Sequence, residues 1–271
     1  MENKIIRALT IAGSDASGGA GMAADLTTFE EFGIFGQVAL TTVVSMDPAT
    51  WGHKVQDLPL QLVQSQLDTV FASDVPLHAM KTGMLGTPEI VRLVRKTIDS
   101  HTIGKVVIDP VLVCKGTDEV LNPSTADAIR AELLPVADVV TPNVFEAGAL
   151  SEMGKLETLE EIKEAARKIC ALGAKTVVIK AGRTLTGDKA IDVFYDGREF
   201  TLLEMDKVTL AHTHGAGCTF AAAVTAGLAL GKSEKEAVAA AKDFVYAALV
   251  HGFAYNKFVS PVFRPAQRCC R

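Results

Sequence analysis

Thr213-His214-Gly215-Ala216-Gly217-Cys218-Thr219-Phe220 runs directly into Ala221-Ala222-Ala223-Val224-Thr225-Ala226-Gly227-Leu228. Two glycines around Ala216 let the backbone turn sharply, and the alanine-rich run behind them forms helix readily, so the stretch predicts a loop feeding a helix N-terminus. The first amides of a helix lack internal partners and carry the positive end of its dipole, which suits an anion such as phosphate. Cys218 stands in the same field, which is expected to depress the pKa of its thiol.

Upstream of this turn, short apolar runs alternate with helical spacing. Residues 7–12 read as a strand opening onto the polar loop 13–21, after which Met22, Ala23, Ala24, Leu26, Phe29 and Phe32 recur at helical intervals. Residues 38–44 read as a second buried strand, 58–71 as an amphipathic helix and 79–82 as a short strand. Thr87-Pro88-Glu89 supplies cap, first-turn proline and acid in the order that starts a helix, here running to about His101. Strands over 105–108, 136–141 and 176–180 exit at Asp109, at the pair Asn143 and Glu146, and at Lys180. A helix over 160–172 holds Cys170 among core residues, and 190–203 read as an edge hairpin about Asp196-Gly197. Two more helices follow, to about Leu230 and from Glu234 to about Phe253.

Strands alternating with helices imply parallel pairing and right-handed crossovers, hence an α/β protein with a sheet between two helical layers and a ligand crevice at the strand exits. With no repeat, low-complexity run or linker, residues 1–271 are expected to form a single domain. A net charge of -5 with dispersed lysines and arginines argues against nucleic acid, and the apolar residues come in short runs and not in a membrane-length span. Met1-Glu2-Asn3-Lys4 has no signal-peptide layout, and five cysteines, an odd number, point to reduced thiols, so a cytoplasmic location is expected. His212 and His214 lack the further ligands a zinc site needs. The tail 263–271, polar and ending in Cys269-Cys270-Arg271, reads as a frayed terminus.

The chemistry-bearing parts are the anion turn at Gly215, Ala216, Gly217 and Cys218, the lysine at Lys180, the carboxylates Asp109 and Glu146, and the glycine loop. Together they suggest phosphoryl transfer from a nucleotide with Mg²⁺. The loop 13–21 carries Ser14, Asp15 and Ser17 among four glycines, yet matches neither the dinucleotide nor the Walker fingerprint. Two other classes stand beside this reading. A cysteine hydrolase using Cys218 and His214 is a poor match, because the nucleophile elbow needs glycine two residues on, where Phe220 stands. A non-catalytic ligand sensor would leave Asp109, Glu146, Lys180 and the glycine turn without a purpose.

The segments ALTIAGSDASGGAG (8–21), KTGML (81–85), VVIDPV (106–111), TPNVFEA (141–147) and THGAGCTFAAAVTA (213–226) occur in this order over nearly the whole chain. As a set they resemble the hydroxymethylpyrimidine/pyridoxal kinase branch of the ribokinase superfamily. The resemblance implies a three-layer α/β/α sandwich with a mostly parallel sheet, ATP and Mg²⁺, phosphorylation of a hydroxymethyl group on an aromatic heterocycle, and a homodimer. Carried over by position, Gly13, Asp15, Met46, Met84 and Val111 look like the heterocycle pocket, closed by Cys218. Asn143, Lys180, Asp192, His214 and Gly217 look like the ATP side, and Asp109 and Glu146 like the metal side. Cys218, with His214 four residues earlier, takes the place of the aspartate base found in most of the superfamily, and is expected to accept the proton itself or relay it through His214.

Two residues bear on the substrate. Hydroxymethylpyrimidine phosphate kinases typically carry a glutamine where this chain has Met46, and a thioether cannot replace that hydrogen bond to the pyrimidine amine, a loss of about 1–3 kcal/mol. Val113-Cys114-Lys115-Gly116, in an expected lid around 112–121, resembles the dual-cysteine pyridoxal kinases, whose lid thiol adds to the aldehyde as a hemithioacetal. Pyridoxal, with pyridoxine and pyridoxamine, is therefore the expected substrate, and hydroxymethylpyrimidine or its phosphate the alternative. The relatives often place a lysine near Val250, on the adenine side, which this chain lacks there.

Overall fold

The computed structural model describes residues 5–112, 122–182, 184–209 and 212–270. β1 (Arg7–Ala12) opens into the glycine loop, α1 (Gly21–Glu31) and β2 (Phe35–Leu40), which pairs parallel to β1. The chain then leaves the main sheet: β3 (Thr42–Met46) and β4 (His53–Asp57) make a separate antiparallel ribbon. It returns through α2 (Leu60–Phe71), β5 (Ala79–Thr82), α3 (Pro88–Ser100) and β6 (Val106–Ile108). The second half runs α4 (Pro123–Ala128), β7 (Val139–Val140), α5 (Val144–Leu150), α6 (Leu159–Ala171) and β8 (Thr176–Gly182). The hairpin β9 (Lys189–Tyr195) and β10 (Phe200–Asp206) precedes α7 (Ala216–Ala229), α8 (Glu234–Val250) and the short α9 (Ala266–Cys269).

The eight-stranded sheet has the order β10-β9-β8-β7-β6-β5-β1-β2 and is parallel except at its β8-β9-β10 end. Successive residues of a strand point to opposite faces, and the core divides accordingly. Val106 and Ile108 pack with α2, α3 and α6, whereas Val107 packs with α7 and α8; Val177 and Ile179 separate from Val178 in the same way. The sheet is thus buried on both faces, which is why its parallel strands read as continuous apolar runs. The expected three layers are present.

The reading of residues 38–44 as one buried strand is corrected. Thr41 ends it: its amide donates to Ala12 O and its hydroxyl to Met84 O (2.6 Å), and beyond it Val43 is 41% exposed. An apolar run does not reveal where a strand changes sheet; the two buried threonines, Thr41 and Thr42, mark the place. β4 and α4 have no counterpart in the sequence reading, and β4, His-Lys-Val-Gln-Asp, carries a single apolar residue. Residues 113–121, the body of the expected lid with Cys114, lie outside the described residues. Among the described residues, no helix is long and apolar enough to cross a membrane.

β1 lies between β2, which follows it, and β5, which comes after the ribbon and α2. The connections leaving β1 (toward β2) and β5 (toward β6) therefore part to opposite sides, and the opening between the carboxyl ends of β1 and β5 is where such sheets bind ligands.

Candidate active site

One cavity of about 570 Å³ lies along those carboxyl ends, a size that suits small-molecule substrates. At one end of it Ser14 N donates to Thr42 O (2.8 Å) and Ala16 N to Val44 O (3.1 Å), so the glycine loop is laid against β3. Asp15 is held twice: one carboxylate oxygen accepts from the Ser17 amide (2.8 Å) and the other lies 2.6 Å from His214 Nε2. Burial alone would raise the Asp15 pKa, but His214 and Ser17 outweigh it and hold the carboxyl below its ordinary value. Gly13, Met84 and Val111 line the same cavity. Met46 does not: the ribbon presents Val44 and His53 instead, and His53 is Met46's cross-strand partner.

The loop feeding a helix N-terminus is built as the sequence suggested, with Gly215 at φ +78° as the N-cap of α7. No side chain caps that helix, and Gly215, Ala216, Gly217 and Cys218 all border the cavity. The expected depressed thiol is corrected. Burial first, then the nearby Asp25 and Asp109, push Cys218 up to about 11, against which Lys81 and the Gly21 amide pull less strongly. The helix dipole is a partial charge, whereas two carboxylates near a desolvated thiol are whole ones. His214 is 7% exposed and, among the described residues, meets Asp15 and Ser17 and not the thiol. This removes the cysteine-hydrolase reading, which needs a thiolate paired with an imidazole.

Across the cavity, β6 ends in Asp109, which accepts from Lys180 Nζ (3.1 Å) at the end of β8 and from Thr141 Oγ1 (3.1 Å). Asn143 and Glu146 form a reciprocal capping box on α5: Glu146 N donates to Asn143 Oδ1 and Asn143 N to Glu146 Oε2, each at 2.8 Å. Burial disfavours the Lys180 charge, but Asp109 and Glu146 more than restore it. Burial first, and then the Asp109 charge, raise Glu146 to about 7, while Lys180 and the Asn143 and Leu112 amides oppose. Asp192 accepts from Lys242 Nζ (2.8 Å) and from the Gly182 amide (3.3 Å). Lys242, on α8 and buried at the cavity wall, was not singled out from the sequence, where it sits in an alanine-rich helix.

A buried ion pair also escaped the sequence. Lys81 Nζ lies 2.9 Å from Asp25 Oδ2, which also accepts from Thr10 Oγ1 (2.6 Å), and both charged side chains are fully buried on the cavity wall. A lysine in the apolar strand Ala-Met-Lys-Thr and an aspartate on the apolar face of α1 were the available signals; 56 residues separate them.

Glu146 makes a stability prediction for the protein without bound cations. Its folded pKa near 7 exceeds its ordinary 4.5, so the folded state keeps a proton that the unfolded state releases, and stability falls as pH rises through that window. Urea unfolding at pH 5 and at pH 7.5 is expected to show the Glu146→Gln variant losing less than the parent, by on the order of 2 kcal/mol. Equal losses in both proteins would remove the burial argument.

A family model described as phosphomethylpyrimidine kinase matches residues 15–263. The chain belongs to that family. This places it in the ribokinase-like superfamily and among the phosphotransferases. Among curated proteins, the pyridoxine kinase of Bacillus subtilis (strain 168) is 50% identical over 263 residues, covering 97% of each chain. The hydroxymethylpyrimidine/phosphomethylpyrimidine kinase of the same organism is 38% identical over 242 residues, covering 89% of this chain and 88% of its own. Among solved structures, the pyridoxal kinase from Staphylococcus aureus in complex with AMP-PCP and pyridoxal superposes with a TM-score of 0.93 at 48% identity, covering 98% of this chain and 95% of that one.

Proposed function

We propose that the protein phosphorylates the 5′-hydroxymethyl group of pyridoxal, and of pyridoxine and pyridoxamine, from ATP. The observation that carries the reading is that one cavity joins the glycine loop and Asp15 to the α7 turn and the pair Asp109 and Lys180. Its acceptor is argued from kinship: the chain is 50% identical to the pyridoxine kinase of one organism and 38% to that organism's pyrimidine kinase.

In this reading the amides of Gly215, Ala216, Gly217 and Cys218 receive the transferring phosphoryl group at the positive end of α7, and Lys180 adds a full charge beside them. Asn143, Asp192 and Gly217 belong to the ATP side, whereas His214, expected there, pairs with Asp15 of the heterocycle loop. Gly13, Asp15, Met84 and Val111 hold the heterocycle, with Val44 and His53 taking the wall where Met46 was expected. Asp109 and Glu146 would hold Mg²⁺: they are two buried carboxyl groups, one raising the other, and their oxygen donors suit that ion. Bound there, it neutralises charge on the phosphate oxygens. Burial keeps the Cys218 thiol protonated at neutral pH, so Cys218 serves as the base only after losing its proton to solvent, a loss that the nearby Lys81 charge favours; the resulting thiolate then takes the proton of the substrate hydroxyl. The reading also takes residues 1–271 as one domain with a lid around 112–121, forming a homodimer in the cytoplasm, where ATP is at hand and thiols stay reduced.

Side-by-side ADP-release assays with pyridoxal, pyridoxine, hydroxymethylpyrimidine and its phosphate test the function. Pyridoxal is expected to be turned over fastest; a faster rate on hydroxymethylpyrimidine reverses the assignment. Cys114→Ala is expected to lose far more activity on pyridoxal than on pyridoxine, which has no aldehyde for the thiol to attack. Equal loss on both substrates would remove the hemithioacetal.

A further inference from the structure

The tail is docked, not frayed. Val262 and Ala266 are each 2% exposed, and Phe263 N donates to Ala248 O (2.9 Å) at the end of α8. From there the segment reaches two parts of the cavity wall that are distant in sequence. It brackets His214: the His214 amide donates to Ser260 O and the Val262 amide to His214 O, each at 3.1 Å. It also grips the glycine loop. Arg264 Nη2 donates to Gly18 O (2.8 Å), Nη1 to Gly19 O (3.1 Å) and Nε to Thr27 Oγ1 (2.6 Å) on α1. Four residues further on, Arg268 pairs with Glu31, four residues beyond Thr27. A single segment thus holds both members of the Asp15 and His214 pair, one through the backbone of His214 and the other through the loop that carries Asp15.

We propose that Arg264 is a positioning residue for the heterocycle side of the site, setting the glycine loop so that Asp15 meets His214 and the loop lines the cavity. β3 holds the start of the loop at Ser14 and Ala16, but its later part turns on glycines with little preference for one shape: Gly18 and Gly21 sit at φ +73° and +59°. A planar guanidinium that donates to two successive carbonyls and a hydroxyl removes that freedom, and a lysine ammonium cannot span the same three acceptors. Gly19 is pinned from the other side as well, since a Cβ there would run into the His214 ring and Pro261. Arg264 acts through the loop, so its loss should be felt in acceptor binding more than in nucleotide binding.

The inference rests on the kinase reading, and the test separates the two. Steady-state kinetics are measured for the full chain and for Arg264→Ala, Arg264→Lys and Arg268→Ala, varying the heterocycle and ATP independently. Arg264→Ala is expected to raise the heterocycle KM about tenfold, equivalent to about 1.4 kcal/mol, while the ATP KM moves less than about twofold. Arg264→Lys should fall between it and the parent, and this milder change serves if the alanine variant does not fold. Arg268→Ala removes a pair whose arginine is solvent-exposed and which makes no contact with the glycine loop, and should match the parent. An unchanged heterocycle KM, or a lower kcat with both KM values intact, as a smaller folded fraction would produce, overturns the role. If the parent prefers hydroxymethylpyrimidine to pyridoxal, the substrate assignment falls, while the KM split is read on the preferred acceptor and decides Arg264 by itself.

Discussion

Gly215→Ala is expected to lower kcat by about 10²–10³, the effect of displacing a donor from a preorganised anion site. At φ +78° a residue with a Cβ is strained, by about 1–2 kcal/mol, and here the added carbon would also run into the Gly19 carbonyl oxygen. That oxygen is backbone in a loop fixed by Arg264, so it has no flexible end to swing aside. The turn must move, and the first amides of α7 move with it. The same close approach packs the turn before α7 against the glycine loop. Kinetics of the purified variant, with circular dichroism to establish folding, decide the matter: a folded variant within twofold of the parent kcat would falsify the placement of the anion hole.

Lys81→Met is expected to cost about 3–5 kcal/mol of stability, because it leaves the fully buried Asp25 with no cation. Asp25 is poorly provided for even in the parent. Among the described residues its Oδ1 has no hydrogen-bond partner, and burial raises its pKa despite Lys81 and Thr10. Burial likewise disfavours the Lys81 charge, which Asp25 and Asp109 restore. Without Lys81, Asp25 should hold its proton to higher pH when folded, so the variant should lose stability as pH rises above the ordinary carboxyl range and regain it on acidification. The double variant Asp25→Leu, Lys81→Met removes both charges and should recover most of the loss in urea unfolding. No recovery would show that the pair's worth lies in packing and not in charge balance.

How much of this site was legible follows from what each residue does locally. The α7 turn could be read directly, since glycine before an alanine-rich helix announces both the left-handed φ and the helix start. Asn143 and Glu146 could be read because a capping box acts over three residues. Asp109 and Lys180 were found as strand exits, although their 3.1 Å contact joins residues 71 apart. Among the described residues the ribbon lines the cavity with Val44 and His53 and not with Met46, because a two-residue period tells which residues share a face, not toward what a detached ribbon turns that face. Cys218 was misjudged for a related reason. Its place at a helix N-terminus is local, whereas the carboxylates of Asp25 and Asp109 that raise its pKa arrive from α1 and β6.

The sequence by itself determined the alternation of strands and helices, the glycine turn before α7 and the strand exits, because backbone propensity, capping and apolar periodicity act within a few residues. The tertiary structure alone decided that Lys81 faces Asp25, that His214 faces Asp15, that Lys242 faces Asp192 and that the tail returns to grip the glycine loop. These pairings set the charges in the cavity, and charge interactions depend on distance through space, which sheet order and layer packing impose and chain position does not.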